Sequence, residues 1–169
     1  MRTLCPLFGC STRPRPAGGS GWGSGCSRLP ELHALTRAYA ATSFVGVREG
    51  EEVVCVVSVE PGSQVLAIRH REGLRLPLAG ASGLAILATA APAPDDSGEI
   101  RRCRERGYAV SRAKLIPGAL GVAAPVRPVG DAARASITVI LTRPDGVDVE
   151  RVGENLRAAA ARVSRSFTM

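Results

Sequence analysis

At 169 residues, 45% of them hydrophobic but only 4% aromatic, the chain has the size of one domain with a tail, and its core must come from Val, Leu, Ile and Ala. Its net charge of +7 is unevenly placed: residues 1–30 hold Arg2, Arg13, Arg15 and Arg28 and no acid, which leaves 18 basic against 15 acidic side chains beyond them. The remainder is close to balanced, so charge gives no argument for nucleic-acid binding, and no apolar run approaches the roughly 18 residues of a membrane span.

Residues 1–28 (MRTLCPLFGCSTRPRPAGGSGWGSGCSR) are rich in Gly, Ser, Pro and Arg and show no hydrophobic periodicity. Such a segment buries too little apolar surface to offset its ordering entropy, so a disordered low-complexity tail is expected, with the domain proper at 29–169. The tail also lacks the continuous apolar stretch of a secretory signal, which points to the cytoplasm. Pro30 suits a helix start, and Leu32, Leu35 and Tyr39 recur at helical spacing, giving a helix over about 30–41. Two apolar runs then flank Glu49-Gly50, a hairpin pattern. The second, Val53 to Val59, is apolar almost throughout, as in a central strand covered on both faces. Pro61-Gly62 marks a turn before a third strand at Gln64–His70.

A Gly-bearing bend leads into ASGLAILATAA (81–91), a short buried helix, and then into the charged helix EIRRCRERG, which Gly107 ends. Its arginines are expected on a solvated face. Extended stretches follow at Tyr108–Ser111, Ala119–Val126 and Ala135–Thr142. The final helix, 148–167, aligns Val149, Val152, Leu156, Ala159 and Val163 on one stripe. Runs of strands separated by runs of helices predict an α+β fold with an antiparallel sheet of about six strands.

The chain offers little chemistry. Five cysteines at irregular spacing, no CxxC, and only His33 and His70 as histidines give neither a disulfide framework nor a zinc set. GASGLA lacks the spacing of a nucleophile elbow. No paired carboxylates, Cys/His pair or phosphate loop emerges, so no catalytic residue, metal or cofactor is expected. His70, between Arg69 and Arg71, reads as an exposed strand-edge residue.

Three segments in order carry a resemblance: the hairpin VGVREGEEVVCVVSVE, the block GLRLPLAGASGLAILA, and RERGYAVSRAKLIPGALGVAAPV. Together with the terminal strand and helix they resemble, over about residues 30–167, the effector-binding domain of IclR-family transcriptional regulators. The resemblance implies a GAF/PAS-like sheet that holds a small effector, a carboxylate or an aromatic metabolite, in a homodimer or tetramer. Carried over by position, the ligand-facing residues are Gly80, Ala81 and Ser82, then Ser111, Gly121, Thr138 and Ile140. Four of these have a plainer reading beside this one. Ser82 would cap its helix, Ser111 would start a turn, Gly121 would mark a bulge, and Thr138 is an ordinary strand former.

Thr138 and Ile140 share a strand face by alternation, and the first N–H groups of the 81–91 helix would suit a carboxylate. The sequence departs from the family in a loop one residue short between Pro77 and Gly83, in Leu84 and in Lys114. It departs again at Ile140, which stands where a small polar residue is common and implies a more apolar pocket. The family carries a winged helix-turn-helix before this domain, whereas residues 1–28 show no such pattern, so DNA contact would need a module not visible here. A standalone module that dimerises with an intact regulator is the alternative expectation.

Overall fold

The computed structural model describes residues 30–62, 70–127 and 133–166. The expected tail at 1–28 and most of the expected strand Gln64–His70 lie outside the described residues. The elements are α1 (Pro30–Tyr39), β1 (Thr42–Glu49), β2 (Glu52–Val59), β3 (Arg75–Pro77), α2 (Ala81–Leu87), α3 (Gly98–Arg106), β4 (Ala109–Arg112), β5 (Leu120–Val126), β6 (Ala135–Leu141) and α4 (Val149–Ser166). Helix, three strands, two helices, three strands, helix is the expected order. Its third strand, however, is the short Arg75–Pro77, which pairs with Glu52–Val54.

The strands form one antiparallel sheet in the order β3-β2-β1-β6-β5-β4, so the chain passes from one edge to the other through α2 and α3. Alternation along β5 and β6 divides the sheet into two faces. Val122, Ala124, Ile137 and Val139 meet Leu32 and Leu35 of α1 and Val152, Leu156 and Val163 of α4 in the main core. Phe44, Gly121, Ala123, Thr138 and Ile140 stand on the opposite face, where α2 packs over β5 and β6.

The apolar run of β2 does not belong to a central strand, because β2 lies second from the edge. Its pattern has another cause. Val45 pairs with Val57 and Gly46 with Cys55, so Val56 is an unopposed extra residue, a β-bulge. The bulge reverses the alternation: Cys55 belongs to the cluster with Phe44 and Ile140, whereas Val57 joins the helix-side core. Both faces draw apolar residues from one short strand, and simple alternation is lost.

Helix ends follow local rules. Ser97 caps α3 by accepting from the Ile100 amide, and Gly107 closes it in the left-handed region at φ 79°. Arg104 is not on the solvated face expected of it. It donates to the Ala88 carbonyl and pairs with Asp96 at 2.9 Å, tying α3 to the end of α2.

Candidate functional site

Between α2, the β1-β6-β5 face and the turn after β4 lies a cavity of about 50 Å³. It opens under the Ala113–Gly118 turn, where Leu115 lies over Gly80. A Cβ on Gly80 would stand 2.6 Å from Leu115 Cδ1, so a larger residue there would push the Leu115 side chain aside. Ala113 holds a positive φ of 51° at the start of that turn, a strained setting for a residue with a Cβ. Lys114 at the mouth pairs with Glu99 of α3.

All seven residues carried over from the resemblance line this one cavity: Gly80, Ala81 and Ser82 at the start of α2, Ser111 on β4, Gly121 on β5, and Thr138 with Ile140 on β6. Their plainer readings are corrected in three places. Ser82 does not cap α2. The N-cap is Gly80, which makes no side-chain cap, and Ser82 Oγ instead lies 2.6 Å from Ser136 Oγ in a buried hydroxyl pair. Ser111 is buried within β4, paired with Gly121, and starts no turn. Gly121 is not a bulge, since it runs in register between Ser111 and Ile140, and its bare Cα faces the Ala81 methyl.

Sequence reasoning missed the cavity's aromatic end. His70, expected to be exposed, is 3% exposed. Its ring stacks on Phe44 with centroids 4.9 Å apart, and both rings line the cavity. The segment is pinned to β2 through Cys55: the thiol donates to the His70 carbonyl, the Gly73 amide donates to the Cys55 carbonyl, and the Cys55 amide to Leu74. No periodicity or motif marks His70, because it reaches the cavity from outside a regular element. Leu76, Leu115 and Ile116 also line the space, giving it the apolar character that Ile140 implied.

Three buried side-chain atoms lack a hydrogen-bond partner among the described residues: Ser58 Oγ, His70 Nδ1 and Thr138 Oγ1. The latter two belong to residues lining the cavity. Burial holds the His70 imidazole below its ordinary pKa of 6.5, favouring the neutral ring. Burial, helped by the charge of Glu72, pushes the Cys55 thiol up to about 12, which leaves it a poor nucleophile at neutral pH. No cluster of metal-ligating side chains occurs among the described residues.

The fold has solved counterparts. A repressor from Agobacterium tumefaciens, BlcR, superposes with a TM-score of 0.68 at 25% identity, over 82% of this chain and 64% of that one. The C-terminal domain of a putative transcriptional regulator from Vibrio cholerae gives 0.68 at 26% identity, over 79% and 91%. An IclR transcriptional regulator from Alicyclobacillus acidocaldarius gives 0.69 at 24% identity, over 84% and 69%. The fold is that of the IclR regulators' C-terminal domain. This chain spans about two thirds of the length of the Agobacterium and Alicyclobacillus proteins. No family model matches the sequence, and no curated protein does. The likeness to IclR regulators is thus carried by three-dimensional structure and by the three short motifs. No helix among the described residues is long and apolar enough to cross a membrane.

Proposed function

We propose that this domain is the small-molecule-sensing part of an IclR-type, non-enzymatic transcriptional regulator acting in the cytoplasm. The observation that carries the reading is convergence: seven residues from four separate segments, named from the resemblance, meet around one apolar cavity. A concave, mostly apolar space with a few convergent polar groups is the usual form of a ligand site. Among the described residues no hydrogen bond joins a lining hydroxyl to His70, which favours binding over catalysis.

The mechanism follows from the small volume. At about 50 Å³ the cavity is too tight for most metabolites in this arrangement. Occupancy therefore selects a state in which the Ala113–Gly118 turn and α2 have moved apart. A ligand that prefers that state shifts the population toward it, and the shift reaches other protomers through the sheet and its helices. In the proposed regulator this alters oligomer state, dimer or tetramer, and through it the spacing of attached DNA-binding modules.

Thermal denaturation against a panel of small carboxylates, alcohols and aromatics tests this. A true effector at 100 times its Kd adds about 2.7 kcal/mol to stability. A broad panel without any shift would remove the sensing reading.

A further inference from the structure

We infer that His70 and Thr138 form the recognition end of the cavity, and that its occupant is a compact, uncharged molecule bearing a hydroxyl group on an apolar body. The inference rests on the sensing function proposed above and names the ligand class that site accepts.

The two residues sit together by construction. Phe44 is the register partner of Thr138 across β1 and β6, so their side chains share the cavity face. His70 stacks on that same Phe44 ring. Thr138 is 2% exposed and His70 3% exposed, and each leaves a polar atom without a partner among the described residues. Buried donors and acceptors are nearly always satisfied, and an orphan costs free energy that a bound group can recover. Two orphans on residues that share Phe44 as a neighbour, in a mostly apolar cavity, mark where a ligand's polar group belongs.

The chemistry of that group follows from what surrounds it. A neutral imidazole offers one donor and one acceptor nitrogen, and the threonine hydroxyl can do either. An alcohol or phenol O–H both donates and accepts, so it completes both residues whichever ring nitrogen carries the proton. A carboxylate only accepts, and it would enter a low-dielectric space without a counter-charge. Lys114 is the one charged side chain among the described lining residues, and it is engaged at the mouth by Glu99. The ordinary organic-acid logic is therefore absent from the inner end. Phe44, Leu76, Ile116 and Ile140 supply the apolar walls for the ligand's body.

The test uses the full chain and two matched pairs, isobutanol with isobutyrate and benzyl alcohol with benzoate. Binding is read from the methyl resonances of Ile116 and Ile140 in titrations. The expected result is that each alcohol binds at least 10-fold tighter than its carboxylate. Thr138→Val, close to isosteric, and His70→Phe, which keeps a ring on Phe44, should each weaken alcohol binding about 3- to 10-fold, the range of one hydrogen bond. Carboxylates binding as tightly as the alcohols would overturn the inference and leave the sensing function standing. So would alcohol affinity unmoved by Thr138→Val, which remains decisive even if His70→Phe fails to fold. No methyl perturbation by any of the four compounds would overturn both.

Discussion

The two faces of the sheet are built to different standards. On the helix side, Val45, Val122, Ile137 and Val139 are fully buried against α1 and α4, and the polar groups there are paired. Ser43 Oγ and Thr36 Oγ1 lie 2.6 Å apart, one donating to the other, within reach of the Leu32 and Val59 carbonyls, one of which accepts the remaining proton. On the cavity side the packing is interrupted by a void, and the three partnerless buried atoms all belong there. Ser58 pairs in register with Phe44, which lines that void beside His70 and Thr138. One face holds the fold together, and the other keeps unsatisfied groups available. On the sensing function proposed above, a ligand would complete those groups, and local rules are expected to yield at such a site.

The comparison can be broken by experiment. The largest effect is expected on the helix side, where Leu156→Ala should cost about 2–5 kcal/mol in chemical denaturation, because Leu156 is wholly buried on the core-facing side of α4. A loss under 1 kcal/mol would show that this face is not the main source of stability. Gly83→Ala comes next. A Cβ there would lie 2.3 Å from the Leu78 carbonyl oxygen, so α2 must lift, at about 1–3 kcal/mol. Ser136→Ala leaves Ser82 without its buried partner and should cost roughly 1–3 kcal/mol by the same measurement.

The pH dependence should be smaller. His70 has its folded pKa held below 6.5 by burial, so below that pH the unfolded chain takes up a proton that the folded chain refuses. Stability from this residue is therefore constant above about pH 6.5 and falls as the pH drops below it, by at most about 1.4 kcal/mol per unit. Subtracting the profile of His70→Phe from that of the parent should isolate this slope, and parallel profiles would contradict the burial. The smallest effect belongs to Thr138→Val. Removing an already partnerless hydroxyl should change stability by less than about 1 kcal/mol, or raise it. Opposite signs at Ser136 and Thr138 would separate paired from unpaired hydroxyls on a single strand.

Most of the fold was legible because it rests on periodicity. The stripe of α4, the Gly107 end of α3 and the extended stretches at β5 and β6 are local signals, and the structure repeats them within a residue or two. The seven cavity residues were found through motifs whose positions lie in regular elements or at their starts. What escaped depends on contacts between distant segments. Arg75–Pro77 becomes a strand only because Glu52–Val54 offers an edge, and Ser82 turns to Ser136, 54 residues away, instead of capping its own helix. His70 is buried only because Cys55 and Phe44 hold it there. No window of sequence around His70 contains those partners.

The extra residue at Val56 bears on whether the two faces can change independently. In a strand with unbroken alternation, a one-residue slip moves every side chain to the wrong side at once. Here the slip is already present and absorbed at one point, so Cys55 packs with Phe44 and Ile140 while Val57 packs with the helices. Both halves of the strand still serve both faces. Val54, before the bulge, pairs with Val47 of the helix-side core, and Ser58, after it, pairs with Phe44 on the cavity side. No stretch of β2 can therefore be changed for one face alone.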